Sequence, residues 1–125
     1  MGISLYYEAR RGRPLSTEER TMIDAALARY PVEGLISAES LPAEEYNGEA
    51  FGVYSPGADT EPGVVFEGAT KLPTSSEEVF WAALMYWCQL LSEVRRVLPD
   101  AQWAAHLDDH DIWWDPERQE YDPSV

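Results

Sequence analysis

Residues 76–98 read SEEVFWAALMYWCQLLSEVRRVL, and this stretch decides the fold. Its apolar residues recur with the 3.6-residue period of an amphipathic helix, at Phe80, Leu84, Trp87, Leu91, Val94 and Leu98. Ser75 and Glu78 have the spacing of a capping box, which marks the start of a helix. Pro99 follows the segment and cannot continue a helix. The pattern therefore predicts a long helix that ends at about Leu98.

Three further apolar residues, Trp81, Met85 and Cys88, widen this stripe well beyond one face. An isolated surface helix does not need so broad an apolar face. We therefore expect the helix to lie across a sheet and to contact another helix or a partner chain with its flank. If that contact is with a second copy of the chain, the protein is a structural or assembly protein, a homo-oligomer built through helix 76–98.

The N-terminal segment predicts a strand followed by a helix. Residues of the strand alternate between two faces, with Ile3, Leu5, Tyr7 and Ala9 on one and Ser4, Tyr6, Glu8 and Arg10 on the other. Ser16 and Glu19 form a capping-box pair, so a helix should follow. We expect it to run to about Arg29 and to be stopped by Pro31.

The other predicted elements are short. We expect strands at residues 34–38, 51–54, 64–69, 102–107 and 112–114, with a loop at 41–48 and a turn at 55–63. Residues 50–70 are thus typical of a hairpin with a long loop. Residues 117–125 are polar, and we expect them to fray as a C-terminal tail.

The order of these elements indicates an α+β fold. Helices separated by antiparallel hairpins favour a mostly antiparallel sheet of four to five strands, with two helices packed on one face, in a ferredoxin-like sandwich. A chain of 125 residues suits a single domain. We expect this domain to span residues 1–116 and the polar tail to follow it.

The charge of the chain is strongly one-sided, with a formal net value of −14. Between Arg29 and Lys71 there are eight acidic residues and no base, and after Arg96 there are eight acids and only Arg118. Such a field repels nucleic acid and anionic lipid and attracts basic proteins. We therefore expect an acidic module that binds a basic protein partner and neither nucleic acid nor a membrane. Basic residues 10–13 should pair with the protein's own acids.

The candidate partner-binding residues combine carboxylates with tryptophan, because aromatic anchors and charge complementarity commonly act together at interfaces. They are Glu44, Glu45, Asp108, Asp109, Asp111, Trp113, Trp114 and Asp115. Trp113 and Trp114 are adjacent in a predicted strand and should face opposite sides, so at least one is a candidate for exposure.

The chain has no catalytic signature, and we expect no enzyme activity, no metal and no cofactor. His106 and His110 are four residues apart among three aspartates, which permits a metal site in a small metal-dependent enzyme. A polar turn between two strands explains the same residues, since aspartate is favoured in turns. Cys88 is the one cysteine, lies in the most apolar segment and is expected to be buried.

In overall character the chain resembles the immunity proteins of bacterial polymorphic toxin systems. The resemblance covers its short length, its acid-only stretch at 33–67 and its acidic segment at 108–122. Eight arginines against one lysine add a composition typical of a GC-rich bacterial genome. The resemblance implies an inhibitor that blocks a cognate toxin, with its acids in a basic cleft meant for phosphates. Separately, a single cysteine cannot form an internal disulfide, so we expect a reducing, cytoplasmic compartment. No secretory signal or membrane-spanning segment is visible.

Overall fold

The computed structural model describes residues 3–38, 51–53, 63–74, 76–108 and 110–124 of the chain. These residues form a mixed α+β fold with antiparallel sheets. The elements follow in the order β1 (Ile3–Arg10), α1 (Thr17–Ala28), α2 (Val32–Ala38), β2 (Val64–Leu72), α3 (Glu77–Val97), β3 (Gln102–His106), β4 (Trp113–Asp115) and β5 (Glu120–Asp122).

Strand β1 is the centre of a three-stranded antiparallel sheet with the order β2-β1-β3. Its predicted alternation is confirmed, because Leu5, Tyr7 and Ala9 are buried on one face of the sheet. We call this the inner face. Ile3 points to the same face, but it is partly exposed because it is the first residue of the strand.

Helix α3 forms the main core with the inner face of the sheet. The residues of its predicted apolar stripe are buried or pack against the core: Phe80, Leu84, Trp87, Leu91, Val94 and Leu98. The start of the helix was predicted one residue too early, since Ser76 is the N-cap and accepts a hydrogen bond from the amide of Val79 at 3.1 Å. Trp81 and Met85 are exposed at the side of the stripe, and Cys88 is buried as expected.

The capping box that begins α1 is confirmed. The Ser16 hydroxyl accepts a hydrogen bond from the Glu19 amide at 3.0 Å, and the Glu19 carboxylate accepts one from the Ser16 amide at 2.9 Å. Through Ile23 and Ala26 the helix buries its apolar side in the same core as α3.

The short strand predicted at residues 34–38 is wrong, because these residues belong to helix α2. Pro31 precedes the helix, and a proline at this end of a helix removes no hydrogen bond. Its carbonyl oxygen accepts hydrogen bonds from the Gly34 amide at 3.0 Å and from the Tyr86 hydroxyl of α3 at 2.8 Å. Leu35 is fully buried, so packing against α3 stabilises a helix that is too short to show a period in the sequence.

Residues 51–53 do not form the predicted strand, and Tyr54 lies outside the described residues. Strand β2 pairs with β1 instead of with this segment. The Gly52 carbonyl accepts a hydrogen bond from the Tyr7 hydroxyl, and the Gly52 amide donates to the Thr70 hydroxyl at 3.1 Å. Phe51 stacks on Tyr7 with ring centroids 4.5 Å apart. Hydrogen bonds from the Tyr7 and Thr70 side chains to the Gly52 backbone therefore take the place of the backbone hydrogen bonds expected for a hairpin.

The C-terminal residues differ from the predicted fraying tail. Strand β5 pairs with β4 in a second, two-stranded sheet. Tyr121 is buried against the core, and its amide donates to the Ser92 hydroxyl of α3 at 2.8 Å. This largely polar segment therefore contains one aromatic residue, Tyr121, that packs into the core.

The described strands number five, but they are divided between two sheets rather than joined in one sheet of four to five. Three helices are described instead of two. The division follows from the course of the chain after β3: residue 111 forms a single bridge to His106, and the chain then leaves β3 to pair with β5. In the part of the chain that the structure describes, no helix has the length and apolar character needed to cross a bilayer.

Candidate protein-binding surface

The face of the three-stranded sheet opposite the core carries the strands' alternate residues. We call it the outer face and define it by Tyr6, Glu8, Glu67, Ala69, Ala104 and His106. The register brings these residues together, since Tyr6 is opposite both Ala69 and His106, and Glu8 is opposite both Glu67 and Ala104. Together with Tyr7 and Gly68 they line a concavity of about 330 Å³.

Two aromatic rings form one wall of this concavity. Tyr6 and His106 stack with ring centroids 5.3 Å apart and an interplanar angle of 23°. Tyr6 is 39% exposed because the alternation of β1 directs it to the outer face. The same alternation assigns the inner position to Tyr7. The outer face therefore presents flat aromatic surface to solvent.

Two carboxylates occupy the middle of the outer face. Glu8 of the central strand is directly opposite Glu67 of β2. Arg10 neutralises Glu8, with N–O distances of 3.3 and 3.4 Å. Among the described residues, Glu67 has neither a hydrogen bond nor an ion pair through its carboxylate. One uncompensated negative charge therefore remains beside the aromatic wall.

The outer face continues beyond β3 into the acidic turn. The Leu107 amide donates to the His110 carbonyl at 2.8 Å, and the Ile112 amide donates to the Ala105 carbonyl at 2.9 Å. This pairing sets Asp111 opposite His106. Alternation then directs Ile112 into the core and Trp113, which is 45% exposed, to the solvent side. The structure thus brings one predicted site residue, Asp111, to the border of the outer face, and it leaves Trp113 exposed on β4 of the second sheet.

Trp114 and Asp115 hold the C-terminal hairpin in place. The Trp114 ring packs against Tyr121 at 5.0 Å, and the Arg95 guanidinium lies 4.1 Å from its centroid. The Asp115 carboxylate accepts hydrogen bonds from the amides of Glu117 at 2.9 Å and Arg118 at 3.2 Å. Both predicted binding residues therefore have internal contacts that account for their presence.

The other predicted site residues divide into two groups. Asp108 is exposed in the turn after β3. Glu44, Glu45 and Asp109 lie outside the described residues.

Arginine side chains are largely held by the protein's own groups, as expected for residues 10–13. The Arg11 guanidinium binds the carboxylates of Glu19 and Asp100, and Arg13 pairs with Asp100 at 2.6 Å. The hydrogen bond from Arg11 lowers the pKa of Glu19 to about 2. Arg29 forms an ion pair with Glu93 in the same way.

Many carboxylates, by contrast, have no such partner among the described residues. They are Glu18, Asp24, Glu33, Glu67, Glu77, Glu78, Asp108, Asp111 and Glu117. Glu18, Glu33 and the glutamates at 77–78 lie in the first turns of helices, where the helix dipole favours negative charge. The other five, Asp24, Glu67, Asp108, Asp111 and Glu117, lie outside such first turns. Of these, Glu67 lies on the outer face and Asp111 is paired with His106 at its border.

The metal-site alternative gains no support from the described residues. No group of three histidine, cysteine or acidic side chains among them is placed to hold a metal ion. His106 instead contributes its ring to the aromatic wall. The Cys88 thiol is buried, and burial raises its pKa to about 12, which is the opposite of what a nucleophile requires.

The residues at the centre of the outer face, Tyr6, Glu8 and Glu67, were not among the predicted site residues. Alternation had assigned the first two to one face, but their meeting with Glu67 depends on the β1–β2 register. In comparisons with known proteins, no family model matches the chain, and no curated protein or solved structure matches it at a significant level. The function is therefore inferred from the geometry of this surface.

Proposed function

We propose that the chain is an acidic protein-binding module that blocks a basic partner with its outer face. The observation that carries this proposal is the aromatic wall of Tyr6 and His106. Beside it lies the Glu67 carboxylate, which has no hydrogen bond or ion pair among the described residues. Asp111 is paired with His106 at the border of this face, and Trp113 adds an exposed aromatic ring on β4. Exposed aromatics next to carboxylates match basic surfaces, because arginine both pairs with acids and stacks on rings.

The proposed binding has two parts: charge governs association, and aromatic contacts govern dissociation. The net charge of −14 accelerates encounter with a basic protein and makes the association rate sensitive to salt. Aromatic groups that become desolvated in the complex then govern dissociation. Most arginine side chains form ion pairs or hydrogen bonds with other groups of the same chain. The charge available to a partner is therefore predominantly negative.

The finer identity that we propose is a cytoplasmic immunity protein whose partner is a toxin with a basic cleft. Its support is the overall resemblance in length and charge together with an acidic, aromatic surface of the kind such an inhibitor needs. In this function the chain has no catalytic role, and its carboxylates occupy the place of substrate phosphates in the partner's cleft.

Co-expression in a bacterial host tests this proposal. The protein encoded by the gene next to that of this chain is expressed alone and then together with the chain, and growth is measured. We expect the chain to restore growth lost to the neighbouring protein. The D108K/D111K variant should restore it less well, whereas the D24K/E18K variant, with the same change in net charge on α1, should act like the wild type. Equal rescue by both variants would remove the acidic turn from the interface.

A second function, assembly through α3, is supported by one specific observation. Trp81 and Met85 are separated by one turn of the helix and are 40% and 44% exposed. Light scattering at micromolar concentration tests it. A dimer in the wild type that becomes a monomer in W81A/M85A supports a homo-oligomer, and a wild-type monomer excludes it under these conditions.

A further inference from the structure

The concavity on the outer face has the size and shape for a single side chain. Its lining includes the small residues Ala69 and Ala104 and the backbone of Gly68, so no large side chain fills the space above them. The rings of Tyr6 and His106 stand on one side of this space. A volume of about 330 Å³ is too small for a folded segment of a partner, but it accommodates one long side chain.

The charge within the concavity favours a cationic occupant. Like charges that are directly opposite on neighbouring strands destabilise a sheet. Glu8 and Glu67 nevertheless have this arrangement, and Arg10 forms an ion pair with Glu8, whereas the Glu67 carboxylate has no ion pair among the described residues. An arrangement that costs stability and is not compensated within the described part of the chain is typical of a binding site.

We propose that the concavity receives the guanidinium group of an arginine from a basic partner protein, a proposal that rests on the function proposed above. The planar group can stack on the Tyr6 ring while it donates two parallel hydrogen bonds to the Glu67 carboxylate. A lysine ammonium supplies the charge but neither the plane nor the paired donors. A metal ion is a poorer fit, because no triad of ligating side chains converges within the described residues.

A titration followed by nuclear magnetic resonance tests this subsite with a defined probe. N-acetyl-arginine amide is added to the isotopically labelled chain, and the shifts of the Ala69 and Ala104 amides and of the His106 ring are followed. N-acetyl-lysine amide tests the need for a plane, and N-acetyl-citrulline amide keeps the shape but removes the charge. We expect saturation by the arginine compound on the order of 1 mM, as for a ligand of its size, with weaker binding of lysine and none of citrulline.

Variants separate the contributions of charge and stacking. E67Q should weaken arginine binding about tenfold, since a charge-assisted bidentate contact is lost. Y6L should weaken it as well, whereas Y6F retains the ring and should bind like the wild type. D24N is the matched control, because it removes an unpartnered carboxylate from α1, away from the outer face. Unchanged spectra outside the concavity verify that each variant is folded.

The result that would overturn the subsite is arginine binding that E67Q leaves unchanged, or equal shifts with citrulline. This titration does not involve the partner protein, so its failure is distinct from failure of the proposed function. If the arginine compound binds as expected and the neighbouring protein does not respond to the chain, the inhibitor function is overturned and the arginine subsite stands.

Discussion

Replacement of Glu67 by glutamine should stabilise the protein, because it removes a repulsion across the β1–β2 pair. Residues that are directly opposite in an antiparallel sheet have Cβ atoms about 5 Å apart. Two unit charges at that spacing would repel each other by about 0.8 kcal/mol in water. This is an upper value, because the flexible side chains can hold their carboxylates farther apart than their Cβ atoms. Arg10 offsets part of this repulsion through its ion pair with Glu8. We therefore expect E67Q to raise the free energy of unfolding by about 0.5 kcal/mol, within the range measured for cross-strand pairs.

Urea denaturation at low and high salt measures this effect. For a chain of this length, about 0.5 kcal/mol corresponds to roughly 2 °C in melting temperature. The gain should shrink at 1 M salt, where the Debye length is about 3 Å. E8Q is an informative comparison, since it removes the Arg10 ion pair together with the repulsion and should be nearly neutral. A loss of stability in E67Q at every salt concentration would refute the proposed repulsion.

Three further predictions concern the rest of the fold. Gly68→Ala should destabilise the protein by about 2 kcal/mol, measured by urea unfolding, because its Cβ would lie 2.0 Å from the Gly52 carbonyl oxygen; a neutral substitution would contradict this packing. The lowered pKa of Glu19 predicts stability that is present above its ordinary pKa near 4.5 and is lost as pH falls towards about 2. E19Q should flatten that part of the stability–pH curve, and an unchanged curve would exclude the Arg11–Glu19 pair as its cause. Native Cys88 should resist a thiol reagent at pH 8 and react in urea, and rapid reaction of the native protein would contradict its burial.

The elements that the sequence predicts well are those with local signals. Strand β1 shows a two-residue alternation, and α1 begins with a capping box whose two hydrogen bonds are both present. Helix α3 is long enough for its period to be unambiguous. In each case the residues that determine the structure are within a few positions of one another.

The errors of prediction concern structure that distant residues determine. Helix α2 depends on the burial of Leu35 and on the contact of Tyr86 with Pro31, neither of which is visible locally. Residues 51–53 bond to Tyr7 and Thr70 on strands elsewhere in the chain. Strand β5 is anchored to α3 by the burial of Tyr121 and by the hydrogen bond from its amide to the Ser92 hydroxyl.

The candidate surface could be predicted only in part for the same reason. Alternation shows that Trp113 and Trp114 face opposite sides, but the contacts of Trp114 with Tyr121 and Arg95, which lie elsewhere in the chain, determine which ring is inside. The carboxylate of Glu67 becomes a candidate only when the register places it opposite Glu8. The acidic turn was identified from composition, and its connection to the outer face comes from the bridge at His106.

Calorimetric titration of the purified chain with the protein encoded by the neighbouring gene tests the central claim most directly. The affinity is measured at two salt concentrations for the wild type, for the outer-face variant E67K/D111K and for the α1 variant E18K/D24K. We predict an affinity that falls with salt in the wild type and in the α1 variant, and a loss of at least about a hundredfold in the outer-face variant. Equal affinities in the two charge-reversed variants would contradict a binding site on the outer face.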